Sequence, residues 1–463
     1  MNTRLNKFIL FANSLFPHET AYLMNIQRFE DEEKLNILKL LHSNATHAAP
    51  EVKFDESLDR RKYSYMMTWC QDQLARIDVD NIFSKLCDYD RMIMTDNIDL
   101  KIERNILKLF RQAGTDYYSF LKLYDIGRSY RHFLQIRMRH HAFQVVDQFL
   151  RKHRTSYEYA RMVNDKMHTV TEDIIEQYKS KHGDTMVYEQ WLDSVYKDEG
   201  LDGYNRVLAW IRILFIAHNY RMIDRLSEKF DYFETMINNS KFYSRRILAN
   251  FYSQKLLYFA SQNKLDKAIE FGYLSIRERN NDYLYYINNL AAVLLRAGRH
   301  EEALRILLLA TEDTRRDSNY HNKISHAAYL IMSRIENKLY KQAESSGDVF
   351  FNAYKAEIFE HRWHLFMTYY LRSILLLKNY KKIIRIVRQT RLMERDRTYM
   401  DSPNYTTVIP WIYNVANYHD GLITQEEFDT HTRELLLHPL TGEAFPEAVV
   451  SSLKKMGSSI EIE

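Results

Sequence analysis

Between residues 283 and 310 the chain reads YLYYINNLAAVLLRAGRHEEALRILLLA, with apolar positions at helical spacing on either side of a polar break. Ile287, Leu290, Ala291 and Leu294 fall on one face; Ala303, Leu307 and Ala310 fall on another. Residues three and four apart share a helix face. The spacing therefore predicts two short amphipathic helices joined at Ala297–Gly298–Arg299, with small residues where the helices cross. The pattern recurs with Ile223, Ala268, Ala343 and Ile383 in the place of Ala303, at spacings of 45, 35, 40 and 40 residues. Each copy begins three residues before that position, at Tyr220, Leu265, His300, Tyr340 or Tyr380. A helix pair cannot bury its apolar face alone, so repeated pairs predict a stacked array.

Upstream, the pattern predicts two helices within residues 1–42, broken at Pro17–His18–Glu19–Thr20, and a loop over residues 43–56 around Pro50. Helices are expected at roughly 58–76, 80–95, 98–113, 116–126, 129–152, 155–181 and 185–198, with Asp80 and Asp99 as N-caps or first-turn acids. Asp198, Glu199, Gly200, Asp202 and Gly203 form the best interior boundary. Three regions result: an N-terminal helical region (1–200), a repeat array (204–400) and a C-terminal helical cap and tail (401–463). In the last, Thr424 with Glu427 three residues on reads as a capping box, and a final helix is expected over about 445–456.

Composition sharpens the fold class. Among 463 residues only 11 are Gly and 6 are Pro, and no Pro lies between residues 51 and 402. A sheet protein of this length needs more turn formers than that, so an all-α fold is expected. Hydrophobic residues make up 46%, enough for a sizeable core. The two cysteines, Cys70 and Cys87, sit in apolar-periodic stretches and read as buried free thiols. The formal charge of +4 is only mildly basic. No run approaches the roughly 18 apolar residues of a membrane span, and the cytoplasm is the expected location.

The repeated pattern resembles the tetratricopeptide repeat, with Gly298 in the turn and Ala303 at the tight crossing; residues 249–313 match best, and Gly272 and Arg334 depart from it. The resemblance implies a right-handed α-solenoid whose first helices line a concave binding surface. In that register the surface carries Asn205, Arg212, Asn250, Gln254, Tyr285, Asn288, Asn289, Arg296, Tyr329, Thr368, Tyr369 and Arg372. Amides bond peptide backbones, and Tyr and Arg are favoured anchors. The implied function is a scaffold or adaptor for a peptide or protein partner, without a cofactor. A clamp for a C-terminal carboxylate is not expected, because Ser253, Ser325 and Tyr329 stand where Lys or Arg would serve it. Near the C-terminus GLITQEEF resembles the short SHOCT motif.

Other chemistry is thinly signalled. No phosphate-binding glycine loop, HExxH or GxSxG occurs. His361 and His364 have one-metal spacing on a helix, but no carboxylate or Cys nearby completes a set. Arg316 and His321 match the R-x4-H pattern of HEPN-type ribonucleases, as do Arg433 and His438, which makes an RNA-cleaving helical protein the remote alternative. Two basic segments remain, residues 128–154 and 378–397. In the second, Lys378, Lys381, Arg385 and Arg388 share a face opposite Ile383, Ile386 and Val387. Such a stripe is either a solvated outer face or a surface for an acidic protein or a nucleic-acid backbone, so a regulator or nucleic-acid-binding protein is the runner-up.

Overall fold

The computed structural model describes residues 5–46, 53–180, 183–400 and 405–436. Among the described residues the chain is all-helical, with no strand. It divides into two compact units, Met1–Asn263 and Lys264–Glu463.

The N-terminal unit contains α1 (Asn6–Ser14), α2 (Pro17–Ile26), α3 (Glu32–Thr46), α4 (Arg60–Ile77), α5 (Val79–Met94), α6 (Leu100–Gln112), α7 (Phe120–Ile136) and α8 (His140–Lys152). It continues through α9 (Arg154–Ser180), α10 (Glu189–Lys197), α11 (Gly203–Asn219), α12 (Ser227–Asn238) and α13 (Arg245–Ser261), with short 3-10 turns at Thr185–Tyr188 and Ile223–Leu226. Side chains of Asp59, Asp78, Asp99, Asp202 and Ser244 accept from first-turn N–H groups and start five of these helices. Asp78, not Asp80, is thus the cap of α5, and Asp80 is its first-turn acid.

Two sequence-based boundaries move. Pro17 opens α2 and does not separate two helices; the break lies at Leu15–Phe16, and a first-turn proline lacks only an N–H that would go unbonded anyway. The break expected near residue 127 is absent, because α7 runs through Gly127. A Cβ at Gly127 would meet Phe110 at 3.1 Å and Leu150 at 3.2 Å, so this glycine serves close packing, not a turn. The chain instead turns at Met138, which takes φ 54°. The Asp198–Gly203 segment also lies within this unit and joins α10 to α11, which pack on each other.

Buried polar groups close the unit. Glu19, 1% exposed, accepts from the Phe16 N–H at 2.8 Å, the Tyr243 hydroxyl at 2.7 Å and the Arg245 guanidinium at 3.1 Å. Arg245 also donates to the Ser14 carbonyl at 2.7 Å. His18 meets the Tyr252 hydroxyl at 2.6 Å and Glu234 at 3.2 Å, and Lys255 pairs with Glu234 at 2.9 Å. Residues as much as 234 positions apart are joined in this way. Trp210 stacks with the rings of Tyr196 and Phe233, which also stack with each other. Cys70 is buried and Cys87 only half-buried; both are free thiols.

The C-terminal unit contains α14 (Leu265–Ser275), α15 (Tyr283–Arg296), α16 (His300–Leu309), α17 (Thr311–Arg316), α18 (Tyr320–Glu336) and α19 (Tyr340–Ala353). It ends with α20 (Lys355–Glu360), α21 (Trp363–Leu376), α22 (Tyr380–Gln389), α23 (Leu392–Tyr399), α24 (Val408–His419) and α25 (Gln425–Leu436). Helices α15, α18, α21 and α24 pack one on the next, and each also packs on the helix that follows it, α16, α19, α22 or α25, the first three of these being shorter than their partners. Ala303, Ala343 and Ile383 are fully buried on those shorter helices, as small or aliphatic residues at close crossings should be.

One joint recurs here. Gly298, Lys338, Lys378 and Gly421 are all left-handed, with φ between 57° and 73°. Each donates its N–H to the carbonyl three residues back, and the next residue donates to the carbonyl five back, as in Lys338→Ile335 at 2.9 Å and Leu339→Arg334 at 2.8 Å. This is a Schellman termination, which satisfies the helix's last free carbonyls. In the first three joints the next helix begins two residues later. In the N-terminal unit Arg221 makes the same turn, and the following element begins at Ile223. The first copy of the sequence pattern is therefore out of register by three residues: Ile223, not Tyr220, opens it.

Thr424 and Glu427 form the expected capping box, with the Thr424 N–H donating to Glu427 at 2.7 Å. The helix expected over 445–456, Pro403 and His438 lie outside the described residues. No helix among the described residues is long and apolar enough to cross a membrane.

Candidate partner-binding surface

Helices α18 and α21 lie side by side and run in the same direction, because matching positions touch along their length. The rings of His321 and His361 are 4.7 Å apart at one end. Next, Arg362 donates to the Ser325 hydroxyl at 2.9 Å. Arg372 and Glu336 form an ion pair at 3.1 Å at the far end. Between them stand Tyr329, half-buried, and Tyr369, which like Ser325 is buried, so only part of the expected surface pair reaches solvent. Burial pushes both phenols up, and their mutual proximity adds to the shift of Tyr369. On α18, His321, Ser325 and Tyr329 follow at intervals of four, which puts them on one face. The strip thus carries two imidazoles, two phenols, a hydroxyl and one ion pair.

The other expected surface residues are placed variously. Asn288 is buried and donates to the Asn322 carbonyl at 2.9 Å, so its amide fixes α15 against the start of α18. Tyr285 and Asn289 are half-buried and Arg296 is exposed, all on α15. Asn250 and Gln254 belong to the N-terminal unit. Asn250 is half-buried; Gln254 is buried and meets the His218 ring at 3.0 Å. Asn205 is fully buried and donates to the Ala160 carbonyl and to Asp202, while Arg212 donates to the Thr171 hydroxyl at 2.9 Å. Thr368 is buried and donates to the carbonyl of His364. Asn205, Gln254, Asn288 and Thr368 therefore hold the fold and do not face solvent, and half-buried Arg212 is tied to Thr171.

His361, Arg362 and Glu336 were not singled out as surface residues by the sequence. The available signal was the interval of four on α18. On α21 no such signal existed, since His361 and Arg362 precede the helix. The structure also separates His361 from His364, which do not share a helix. His364 is buried with Nε2 3.2 Å from the Thr406 carbonyl, and burial pushes it down to about 4. Arg316 ends α17, exposed, while His321 lies in the first turn of α18. Among the described residues no group of three or more His, Cys, Asp or Glu is arranged to hold a metal.

The two basic segments differ. In the first, Arg131 and Arg151 face Asp147, Arg137 faces Asp96 at 2.6 Å, Arg139 faces Glu103 at 2.6 Å, Arg128 faces Asp125 and Arg154 faces Glu158. In the second, Lys382 spans Glu344 and Asp348 at 2.8 and 2.7 Å. Lys378, Lys381, Arg385 and Arg388 are exposed and form no ion pair among the described residues.

No family model matches the chain, and no curated protein or solved structure matches it either.

Proposed function

We propose that the chain is a protein-interaction scaffold whose C-terminal unit is a right-handed α-solenoid of tetratricopeptide-like helix pairs, taking a peptide or protein partner along the α18–α21 strip. The observation that carries this reading is the aligned set Tyr329, Tyr369, Arg372 and Glu336 on two parallel neighbouring helices. Tyrosine and arginine are favoured anchors at interfaces, and the half-buried Tyr329 and Arg372 flank the buried Ser325 and Tyr369 along this strip. The recurrent Schellman joints support the repeat reading, since they space successive helix pairs by about one period each.

The test is affinity purification with the native protein and with a Tyr329→Ala, Arg372→Ala double variant whose circular dichroism is unchanged. The expected result is a partner protein recovered by the native chain and depleted at least tenfold by the variant, a loss of about 1.4 kcal/mol or more. Identical recovery by both would remove the strip from consideration.

A further inference from the structure

The unpaired cations on α22 carry an inference independent of the α18–α21 strip. The sequence shows two basic segments, but only one is electrostatically open. Each of the six arginines in residues 128–154 lies against a carboxylate, Arg131 and Arg151 sharing Asp147, so most of that segment's charge is offset. On α22 one flank is cancelled in the same way, Lys382 by Glu344 and Asp348. The opposite flank is not. There Lys381, Arg385 and Arg388 stand exposed on the face away from the buried Ile383, Ile386 and Val387; Lys378, expected on the same helical face, is exposed in the left-handed joint before the helix.

We propose that this face of α22 binds the phosphate backbone of a nucleic acid. At about 1.5 Å per residue, Lys381 to Arg388 on α22 spans about 10 Å. One strand of a duplex presents a phosphate about every 3.4 Å along its axis, so the three cations of the helix face about three phosphates. Arg385 and Arg388 have the planar fork that engages phosphate oxygens in pairs. A protein partner would call for an apolar anchor at the centre of the contact. The large apolar side chains exposed nearest along the chain are Val349 and Leu422, both outside residues 378–397. Charge without an apolar centre suits a backbone contact that reads no sequence.

The test is fluorescence anisotropy with a labelled DNA duplex of about 20 base pairs, titrated at about 50 and about 200 mM salt. Three phosphate contacts predict a slope of log affinity against log salt of about −2.7, a loss of about 40-fold across that range. Lys381→Gln with Arg385→Gln should weaken binding at least tenfold at the lower salt and reduce the slope by about two. These substitutions are on an exposed face, and an unchanged melting temperature verifies the fold. Arg151→Gln with Arg154→Gln on the compensated segment should leave binding unchanged. Three results would overturn the proposal: no binding of the duplex at the lower salt, equal binding by the α22 variant, or displacement of the duplex by poly-glutamate as readily as by unlabelled DNA. The last would assign the face to acidic proteins.

Discussion

In the N-terminal unit, α2 and α13 meet through a buried carboxylate although 226 residues separate Glu19 from Arg245. In the C-terminal unit the principal helix contacts join elements no more than three places apart in the chain. Both units are built from helices of similar length, so secondary structure does not distinguish them; the span of their contacts does. A unit closed end to end places its stability in the few groups that make the closure, since a long loop must be ordered before they gain anything. A unit of neighbour contacts spreads stability along the chain, and damage in one place is expected to stay there.

Ala303→Arg should have the largest effect and test the locality of the C-terminal unit. Ala303 is fully buried, and an arginine there must bury its charge or part α15 from α16, at a cost of about 4–5 kcal/mol. Hydrogen exchange should show protection lost over α15–α18 and largely kept in α22–α25. Uniform loss across the unit would refute the neighbour-contact description, and an unchanged melting temperature would place Ala303 on the surface.

Arg245→Ala tests the opposite property. It removes the guanidinium from the buried Glu19 carboxylate, to which the Tyr243 hydroxyl and the Phe16 N–H still donate. Removing one partner of a buried pair costs about 3–5 kcal/mol; Arg245 is partly exposed, so the lower end is expected. Protection should fall throughout the N-terminal unit, including α2 and α5, which contribute Glu19 and Asp78 around Tyr243 and Arg245. Loss confined to α13 would mean that the closure is incidental.

Acid separates the units further. Hydrogen bonds from His18, then Lys255, hold Glu234 down to about 2 against burial. A carboxylate depressed in the folded state contributes stability above its ordinary value of 4.5, lost as pH falls toward 2. Glu234→Gln should abolish that loss in the N-terminal unit. In the C-terminal unit burial depresses His364 to about 4, so the unfolded chain takes the proton first and stability is lost as pH falls from 6.5 toward 4. Burial raises Asp396 to about 6, which has the opposite sign: its contribution is full below 3.8 and is lost as pH rises through 6. Urea melts at pH 6.5 and pH 4 should show His364→Gln gaining on wild type with acid and Asp396→Asn losing, each by about 1–3 kcal/mol. The reverse order would mean that the two groups are not buried as described.

The helical class was legible because it depends on local signals: the scarcity of Gly and Pro, the Asp caps, and apolar spacing around Ala303. Gly298 also announced its joint. What was hidden depends on partners far away in sequence. The same glycine that marks a turn at 298 fills a crowded contact at 127, and only Phe110 and Leu150 tell the two apart. Arg137 and Lys381 look alike in sequence, yet one has Asp96 beside it and the other forms no ion pair among the described residues. Of the residues expected on the binding surface, Asn288 was misjudged as exposed because an amide reads the same whether it meets solvent or the Asn322 carbonyl.

The smallest expected effect concerns the joints themselves, which occur in both units and so put them on one scale. Met138 in the N-terminal unit and Lys338 in the C-terminal unit hold φ of 54° and 62°. A residue with a Cβ loses about 1–2 kcal/mol in that conformation, and only glycine escapes the clash. Glycine in turn loses about 0.5–1 kcal/mol more chain entropy on folding. Met138→Gly and Lys338→Gly should therefore each stabilise by about 0.5–1 kcal/mol. Gly298→Ala should cost about 1 kcal/mol, since a Cβ there has room (the His300 ring is 3.9 Å away) and only the backbone conformation opposes it. Urea midpoints of the three variants measure these terms. If Lys338→Gly destabilises as much as Gly298→Ala does, the left-handed joint is not what ends α18, and the matching of helix ends across the two units fails with it.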